Sequence, residues 1–532
     1  MTMNFHKRNI KKSQEKPAKI SLSDSYKSDV CEKAYLGRRG YTIPKSILSE
    51  QDLNFLKEDL FLKAKPGINM GAATDIVSFP VYRESPNKLY IPRFYGEKRY
   101  GKPHRSEISE GDPCDLQFTK TLRDYQTEII NVYLNHVSNN GGGGILEVGC
   151  GKGKTVMALN IISKIQKKTL ILVHKEFLMN QWIERIGEFL PSARIGKIQG
   201  PKFEVDDRDI VLGMIQTMYS REFPTGSFDS FGLTIIDEVH RIGSEEFSKT
   251  LLKTVTPYML GISATVDRKD GLTCVLHMFI GDKIYHDDSE KKDPVCVRGI
   301  QFQHTDSDFV QMEYDFRGNP KYSTMISKLC DFGPRKNFIV KVTQDLLSEN
   351  SEKQIMILAH NRSLLTYLHD AIQHKNIGTV GYYVGGMKEH ALKETEEKQI
   401  VLATYAMAAE ALDIKTLSTL IMATPKTDIE QSVGRILRSK HENPIVVDIV
   451  DLHDIFQNQW RTRKRFYKKC NYKIIYNTSG KYVNMGDCDK WKVDFDPTNC
   501  KKEPTKKKSS SESICMIQLS EEEQAQDHIT NI

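Results

Sequence analysis

The amino-acid sequence predicts an α/β protein with two tandem domains built on parallel sheets, a small β-rich N-terminal accessory domain and disordered tails. Three observations lead to this prediction. The chain of 532 residues is too long for one ordinary core. Its middle part alternates short apolar runs with amphipathic helical segments, which is the pattern of parallel α/β layers. Both ends are polar, rich in lysine and serine, and lack hydrophobic periodicity.

Shifts in composition set the predicted domain boundaries. The accessory region is rich in proline, glycine and aromatic residues, and the polar stretch from Asp287 to Asp293 separates two series of apolar runs. The predicted segments are a basic tail at 1–34, the accessory domain at 35–115, the first α/β domain at 116–288, the second at 289–475, and a largely disordered extension at 476–532.

Short apolar runs mark the candidate strands. In the first α/β domain they are Ile145 to Val148, Thr169 to Val173, Ile210 to Gly213, Leu233 to Ile236 and Tyr258 to Ile262. In the second they are Gln354 to Ala359, Thr379 to Tyr383, Ile400 to Ala403, Thr419 to Ala423 and Ile445 to Ile449. The helical segments between these runs predict parallel pairing within each sheet.

Composition and cysteine usage limit the class of protein. Hydrophobic residues make up 39% and charged residues 27% of the chain, and no apolar run is long enough to span a bilayer. The N-terminus lacks the apolar centre of a secretory signal, and the ten cysteines include no Cys-x-x-Cys pair. We therefore expect a soluble intracellular protein of the cytoplasm or nucleus, with packaging in a virion left open. The formal charge of +7 is compatible with a polyanionic partner but does not establish one.

A glycine-rich segment follows the first candidate strand. Residues 149–155 read GCGKGKT and lead into a helical segment. Glycines let several backbone amides and the helix N-terminus point at one anion, while a lysine reaches the β and γ phosphates. We therefore expect Gly151, Gly153 and Lys154 to bind the phosphates of ATP, and Thr155 to place its hydroxyl on Mg²⁺.

Two adjacent carboxylates end a buried strand. The apolar run at 233–236 leads into Asp237 and Glu238, and His240 follows. Acidic residues at such a position do little for stability, but hydrolysis of a phosphoanhydride needs a metal ligand and a general base. We expect Asp237 to bind Mg²⁺ and Glu238 to polarise the attacking water.

In order and spacing, these motifs resemble those of superfamily 2 helicases, and the resemblance covers residues 122–438. The branch that the chain resembles is that of XPB-like DNA helicases and the related transcript-release or repair helicases of large DNA viruses and phages. The resemblance implies RecA-like domains, ATP and Mg²⁺ as cofactors, and nucleic acid as the partner, with DNA favoured over RNA.

The resemblance also implies roles for weaker motifs of the first domain. Arg123 and Gln126 lie in the segment that reads adenine, where an amide can both donate and accept. The segment 170–175 with Gln181 and Trp182, and Thr217 in Ile215-Gln216-Thr217, match motifs that contact the nucleic-acid backbone. Ordinary strand and loop content is an equal alternative for these short matches.

Ser263 and Thr265 match the motif whose hydroxyls link the ATP site to the nucleic-acid groove, and His240 is a further coupling candidate. Arg268 begins Arg268-Lys269-Asp270, in the place of the Arg-Glu-Asp element of the XPB branch. Because Lys269 replaces the glutamate, the role of this element in duplex separation is open.

The second domain carries two further motifs of the same resemblance. Thr404 and Asp413 lie in a segment that resembles motif V and contacts nucleic acid, with Ala411 where glycine is usual. Gln431, Arg435 and Arg438 lie in QSVGRILR, at 431–438. An arginine inserted from an opposite domain stabilises charge on the γ phosphate. The two arginines are three residues apart, so we expect both on one helical face directed into the interdomain cleft.

Two basic segments have alternative interpretations. Cations and aromatics alternate from Tyr82 to Lys102, which fits a stacking surface for bases. It also fits a small β domain whose aromatics form its core while its cations face water, and we favour that interpretation. The basic segment 461–469 is expected either to brace nucleic acid or to cap the second domain.

These motifs together predict a nucleic-acid-dependent ATPase that acts as a DNA helicase or translocase, serving transcription or repair of a large DNA virus, with transcription or repair proteins as further partners. An ATP-dependent RNA helicase is the first alternative, because no motif tests for the 2′-hydroxyl. An ATP-gated clamp without unwinding is the second, and it gains support if Val148 and Ala411, both at positions where glycine is usual, impair turnover.

Overall fold

The computed structural model describes residues 21–63, 78–149, 151–239, 244–268, 270–287, 295–410, 414–437, 441, 443–486 and 491–498. Most of both expected tails, and all of the separating stretch except Asp287, lie outside these residues. Among the helices that the structure describes, none combines the length and apolar character needed to cross a membrane.

The accessory domain contains helices as well as strands. Its helices are α1 (Asp24–Lys33), α2 (Glu50–Asp59) and α3 (Arg93–Tyr100). Its strands are β1 (Tyr35–Gly37), β2 (Gly40–Pro44), β3 (Phe61–Lys63), β4 (Ser78–Pro80), β5 (Arg83–Glu84), β6 (Lys88–Ile91) and β7 (Arg105–Ser106). Five of them form a sheet in the order β5-β6-β2-β1-β7, and β3 pairs with β4. Helix α1 lies within the segment expected as a tail, because Ser23 caps its N-terminus and Val30 is buried in the core.

The first α/β domain follows. Its helices are α4 (Asp124–Asn140), α5 (Lys154–Ile165), α6 (Glu176–Phe189), α7 (Ile215–Ser220), α8 (Ser244–Leu251) and α9 (Thr273–Ile280). Its strands are β8 (Gly143–Glu147), β9 (Thr169–Val173), β10 (Ile195–Gln199), β11 (Lys202–Phe203), β12 (Ile210–Met214), β13 (Leu233–Asp237), β14 (Tyr258–Ser263) and β15 (Lys283–His286). The sheet order is β11-β10-β12-β9-β13-β14-β8-β15, with parallel pairing except between β10 and β11.

The second α/β domain has the same architecture. Its helices are α10 (Ser307–Val310), α11 (Tyr322–Asp331), α12 (Gly333–Glu349), α13 (Arg362–His374), α14 (Glu389–Glu396), α15 (Tyr405–Glu410), α16 (Glu430–Val433) and α17 (Asp454–Lys469), with a 3₁₀ helix at Gly434–Leu437. Its strands are β16 (Cys296–Phe302), β17 (Gln354–Ala359), β18 (Val380–Tyr383), β19 (Ile400–Thr404), β20 (Leu417–Met422), β21 (Ile445–Asp451), β22 (Lys473–Thr478) and β23 (Lys492–Phe495). Their order is β18-β19-β17-β20-β21-β16-β22-β23, and only β22 and β23 pair antiparallel among these strands.

The predicted fold class, two RecA-like α/β domains behind a small accessory domain, is confirmed. Every candidate strand named from the sequence lies in one of the two large sheets. The strands that sequence reasoning missed include β10, β15, β16 and β22, which carry more polar residues between their apolar ones. Such half-exposed strands lack the continuous apolar run that marks a central parallel strand.

The accessory domain is joined to the first α/β domain by a buried arginine. The guanidinium of Arg93 donates to the carbonyl oxygens of Thr256 and Pro257, at 3.2 and 3.0 Å, and also to that of Gly141. Glu97 pairs with the same guanidinium at 2.9 Å. Arg93 therefore packs within the protein, whereas the favoured interpretation of this basic segment placed its cations in water; the backbone carbonyls that it reaches belong to a domain distant in sequence.

The basic segment 461–469 forms the end of α17, and its buried side chains belong to the domain core. Arg463 is fully buried and donates to both carboxylate oxygens of Asp448, at 2.7 and 2.9 Å. Tyr467 donates to the same carboxylate at 3.1 Å. Because these side chains are buried against β21, this face of α17 caps the domain. Removing one partner of such a buried pair costs about 3 to 5 kcal/mol. Arg461 and Arg465, on the other side of the helix, remain exposed.

Candidate active site

Three neighbouring strands of the first sheet bring the main motifs together. Strand β14 lies between β8 and β13, and all three run parallel. The carboxyl ends of parallel strands meet at one edge of a sheet. The glycine-rich loop follows β8, Asp237 ends β13 and Ser263 ends β14, so the predicted phosphate, carboxylate and coupling motifs share this edge.

The glycine-rich loop requires its glycines. Gly151 and Gly153 have φ values of 79° and 78°, a region that residues with a Cβ adopt rarely. A Cβ atom on Gly153 would lie only 2.5 Å from the Nε2 atom of Gln126. Lys154 and Thr155 then begin α5, whose N-terminus faces the loop. Cys150 lies outside the described residues.

Lys154 and Glu238 face each other across the site. Their Nζ and Oε1 atoms are 3.4 Å apart, and their side chains are only 13% and 21% exposed. Glu238 has a φ of 49°, which is rare for a residue with a long side chain and turns the chain sharply after β13. This turn directs the carboxylate of Glu238 towards the glycine-rich loop.

The hydroxyl of Ser263 connects this carboxylate to the following loop. Its Oγ lies 3.3 Å from Oε2 of Glu238 and 2.7 Å from the carbonyl oxygen of Thr265, so its single proton can be donated to either. Ser263 is fully buried, and its own carbonyl accepts from the Val148 N–H at 2.8 Å. Ser263 therefore connects the Glu238 carboxylate, the loop at Thr265 and Val148, which follows β8.

Asp237 is buried below Glu238. Burial and the neighbouring Glu238 carboxylate raise its pKa to about 6, although Lys154 and a hydrogen bond from Trp182 act in the opposite direction. The indole Nε1 of Trp182 donates to Oδ2 of Asp237 at 3.0 Å. Trp182 is 2% exposed, so it supports the carboxylate site and is not the contact to a nucleic-acid backbone that the resemblance implied for its motif.

Gln126 lies in the first turn of α4, and its side chain contacts the glycine-rich loop. Its Oε1 accepts from the Arg123 N–H and its Nε2 donates to the Lys152 carbonyl, both at 3.0 Å. An amide has a second proton and a second lone pair, so one donor and one acceptor position remain for an adenine edge. Tyr125 Oη donates to the same Lys152 carbonyl at 3.2 Å.

Asp287 is a residue of this site that sequence reasoning missed. Its Oδ2 accepts from the Gly149 N–H at 3.3 Å and lies 2.7 Å from Lys152 Nζ. Its backbone N–H donates to the carbonyl of Glu147, which positions it beside the loop. In the sequence, the polar stretch that begins at Asp287 indicated only a domain boundary. Asp287 reaches the loop, 138 residues earlier in the chain, because β15 lies beside β8 in the sheet.

Glu147, at the end of β8, was also missed. Burial raises its pKa, but the Lys283 ammonium, the Val266 N–H and His286 outweigh burial and hold the pKa below its usual range. The distances are 2.8 Å to Lys283 and 2.9 Å to the Val266 nitrogen. An acidic residue directly before the glycine-rich loop was the available signal.

We expect the substitution Asp287→Asn to tighten binding of ATP about tenfold. The Asp287 carboxylate accepts from the Gly149 N–H and pairs with the Lys152 ammonium, so it competes with a phosphate for two groups of the glycine-rich loop. A charge-assisted hydrogen bond contributes about 1.5 to 3 kcal/mol. Binding of a fluorescent ATP analogue to the full-length protein measures the change. Asp282→Asn, an exposed aspartate five positions earlier, is the matched control. Unchanged or weaker binding would show that Asp287 serves to hold the loop in place.

The second domain approaches the loop across the interdomain cleft. A Cβ atom on Gly151 would lie 3.7 Å from the carbonyl oxygen of Leu437, the last residue of the 3₁₀ helix. Arg435 lies in this helix and is half-buried. Helix α16 ends at Val433 and the tighter 3₁₀ turn follows, so Arg435 lies in a 3₁₀ helix, and the expected shared face with Arg438 stays a prediction. Arg438 and the side chain of Gln431 lie outside the described residues.

The candidates for nucleic-acid contact are distributed over both domains. Thr404 is the last residue of β19, so it lies at the carboxyl edge of the second sheet, where β19 pairs with β17. The hydroxyl of Thr217 already accepts from the Gly200 N–H at 2.9 Å. Arg268 is bound within its own loop to Asp270, with a nitrogen–oxygen distance of 3.0 Å. His240, Lys269, Ala411 and Asp413 lie outside the described residues.

His360, which follows β17, is a half-buried group at the same edge that sequence reasoning did not single out. Its Nδ1 lies 2.8 Å from the Thr424 hydroxyl, and Tyr405 donates to the Thr424 carbonyl at 2.5 Å. Burial, together with the Lys426 cation, lowers the pKa of His360 to about 4. The ring is therefore neutral near pH 7 and orders this edge by hydrogen bonding.

The chain is similar to known proteins over much of its length. Residues 119–268 match the family described as "Type III restriction enzyme, res subunit". The chain is 35% identical over 453 residues to "Putative ATP-dependent RNA helicase L396" of Acanthamoeba polyphaga mimivirus, covering 83% of this chain and 86% of that protein.

Two other viral relatives are more distant. "Putative ATP-dependent RNA helicase QP509L" of African swine fever virus (isolate Pig/Kenya/KEN-50/1950) is 29% identical over 391 residues, covering 68% of this chain and 75% of that protein. "Putative helicase 161L" of Invertebrate iridescent virus 6 is 25% identical over 383 residues, covering 67% and 84%.

Proposed function

The chain belongs to the superfamily 2 helicases and is a nucleic-acid-dependent ATPase similar to those of large DNA viruses, and from this premise we propose that it is a DNA translocase or helicase. The pathway that we propose is transcription, as elongation or transcript release, or repair of a large DNA virus. One observation carries the proposal: Lys154, Asp237, Glu238 and Ser263 meet at one sheet edge, opposite the Arg435 helix of the second domain.

The proposed chemistry is hydrolysis of ATP to ADP and phosphate. Gly151, Gly153 and Lys154 bind the phosphates, and Gln126 and Arg123 lie where an adenine would be read. A phosphate at the loop offers Lys154 a more highly charged partner than Glu238, which lies 3.4 Å away. The carboxylate of Glu238 is then available to accept the proton of the attacking water.

We propose Thr155 and Asp237 as the protein ligands of Mg²⁺. Hydroxyl and carboxylate oxygens suit this ion, which is commonly bound by one or two protein groups together with substrate phosphates. Within the described ranges no group of three or more His, Cys, Asp or Glu is placed to hold a metal, which fits that mode. Burial and the Glu238 carboxylate raise the pKa of Asp237, and a bound cation would favour its charged form. Mg²⁺ would neutralise charge on the phosphates during transfer.

Coupling to movement is proposed to pass through the cleft between the two domains. Arg435, together with Arg438 and Gln431 of the same sequence motif, would reach the γ phosphate from the second domain and make ATP a link between the domains. Release of that link on hydrolysis lets the domains separate again. The positions proposed to transmit this change to nucleic acid are His240, Ser263, Thr265, Arg268 and Thr217 of the first domain, and Thr404 and Asp413 of the second.

An RNA helicase is the second candidate, and the names of the mimivirus and African swine fever virus relatives favour it. Discrimination between RNA and DNA depends on contacts to the 2′-hydroxyl. An ATP-gated clamp without unwinding is the third candidate. The meeting of Glu238 with Lys154 disfavours it, because a clamp has no need of a general base.

We expect the ATPase rate of the full-length protein to rise in the presence of DNA, and strand displacement to follow with the best activator. The measurement compares single-stranded DNA, duplex DNA and RNA at one salt concentration, since phosphate contacts are strongly salt-dependent. Greater stimulation by RNA would transfer the proposal to the RNA helicase. Stimulation without strand displacement on any substrate would favour translocation only, and no stimulation by any of them would defeat the motor.

A further inference from the structure

The five-stranded sheet of the accessory domain has two chemically different faces. One face is apolar and fully or almost fully buried, and helices α1 and α3 contact it at β2. A Cβ atom on Gly96 of α3 would collide with the Tyr41 side chain, which shows how closely α3 packs there. The buried residues of this face are Leu36, Tyr41, Ile43, Leu89 and Ile91.

The opposite face carries a row of polar residues across all five strands, and its central member, Thr42, is buried. Residues directly opposite each other on paired strands share a face of the sheet. Strand pairing aligns Arg83 with Tyr90, Tyr90 with Thr42, Thr42 with Tyr35, and Tyr35 with Arg105. We call Arg83, Tyr90, Thr42, Tyr35 and Arg105, together with the flanking Lys88 and Arg39, the accessory row.

The cations of the accessory row surround its two tyrosines. Lys88 Nζ donates to Tyr35 Oη at 2.8 Å, and the Arg105 guanidinium lies 5.2 Å from the centre of the Tyr35 ring. The Arg39 guanidinium lies 5.3 Å from the centre of the Tyr90 ring. Each tyrosine is therefore oriented by cations and remains partly exposed.

Positive charge dominates the face. Arg39 and Arg83 are exposed, and the Arg105 side chain is 70% exposed. Glu107 pairs with Arg105, while Arg38 in the adjoining turn is bound to Asp229 of the first α/β domain. Arg39, Arg83, Lys88 and Arg105 thus outnumber the carboxylate of Glu107.

We infer that the accessory row is a second nucleic-acid site, which binds an unpaired strand by stacking bases on Tyr35 and Tyr90 and by contacting phosphates with the surrounding cations. Tyr35 and Tyr90 lie on β1 and β6 with β2 between them, which separates them by about 10 Å. Each ring therefore accepts its own base. Aromatics interleaved with cations are the composition of platforms that bind single strands with little sequence preference, and the part of each tyrosine ring that remains exposed is the part a base would stack on.

The location of the accessory row, outside the two α/β domains, suits it to hold a strand while those domains move. It lies on a domain that is joined to the first α/β domain through Arg93 and not on the groove over the two motor domains. A strand held there stays attached to the protein when the motor domains separate, so the accessory row is expected to act as an anchor that raises processivity.

The test uses the full-length protein and a fluorescein-labelled single-stranded oligonucleotide, with binding followed by fluorescence anisotropy. The double variant Tyr35→Ala/Tyr90→Ala is expected to weaken binding at least about fivefold for each ring. Tyr35→Phe/Tyr90→Phe keeps the rings and is expected to bind nearly as the parent does. Tyr314→Ala, which removes a tyrosine that is 53% exposed in the second α/β domain, is the matched control.

A second variant keeps the inference falsifiable if the tyrosine variants fold poorly. Arg83→Ala/Arg105→Ala changes only exposed side chains, and it is expected to weaken binding and to reduce its dependence on salt. Unchanged affinity in both double variants overturns the inference. Loss with the arginine variant alone also overturns it, because phosphate contact without stacking would not select an unpaired strand. ATPase activity without nucleic acid, which stays unchanged in these variants, distinguishes this failure from failure of the motor.

Discussion

Replacement of Glu238 by glutamine is expected to lower ATP turnover about a hundredfold or more while ATP binding is retained. The amide has the size of the carboxylate but cannot accept the proton of the attacking water. The local geometry supports this role, because Glu238 adopts a φ of 49° and lies 3.4 Å from Lys154 and 3.3 Å from the Ser263 hydroxyl. Steady-state phosphate release, measured with the best nucleic-acid activator, reports turnover.

A matched control separates this effect from a general change of charge. Glu245→Gln makes the same substitution at α8, seven residues further along the chain, and is expected to leave turnover unchanged. Binding of a fluorescent ATP analogue to Glu238→Gln should remain within a few fold of the parent protein. Unchanged turnover in Glu238→Gln would falsify the assignment of the general base.

The second large effect is expected from Arg435→Ala, with a loss of turnover of about a thousandfold. The reason is that Arg435 lies on the far side of the cleft from the phosphates, in the 3₁₀ helix whose Leu437 carbonyl lies 3.7 Å from the Cβ position of Gly151. An arginine that enters from the opposite domain stabilises charge on the γ phosphate only in the closed state. Binding of ATP is therefore expected to change much less than turnover.

Two further variants sharpen this test. Arg435→Lys keeps the charge but loses the planar fork that grips two oxygens at once, so it is expected to restore only part of the activity. Arg461→Ala, at an exposed arginine of α17, controls for loss of a cation from the second domain. Turnover in Arg435→Ala close to that of Arg461→Ala would exclude Arg435 from the reaction.

The ATP-site motifs were accessible from the sequence because each is local. A strand, a glycine-rich loop and a helix follow one another within residues 143–165, and short range is what propensity and periodicity describe. Asp237 and Glu238 end an apolar run for the same reason. The roles assigned to them remain predictions until the variants above are measured.

The accessory domain shows where composition is insufficient. Arg93, Tyr95 and Tyr100 belong to the same basic and aromatic stretch as Tyr90, yet Arg93 and Tyr100 are buried and Tyr95 donates to Asp59 at 2.7 Å. The alternation of faces along β6, and its pairing with β2 and β5, place Tyr90 on the open side. Composition is the same for both groups, and strand register separates them.

The sequence by itself determined the two α/β domains and the order of their motifs, and it predicted the chemistry of the nucleotide site, because these depend on residues that are close along the chain. Only the tertiary structure decided which distant groups complete that site. Trp182 meets Asp237 across 55 residues, and Asp287 meets Gly149 across 138. These contacts depend on the order of strands in the sheet, which local propensity does not specify, since each strand has the same apolar pattern whichever neighbour it pairs with.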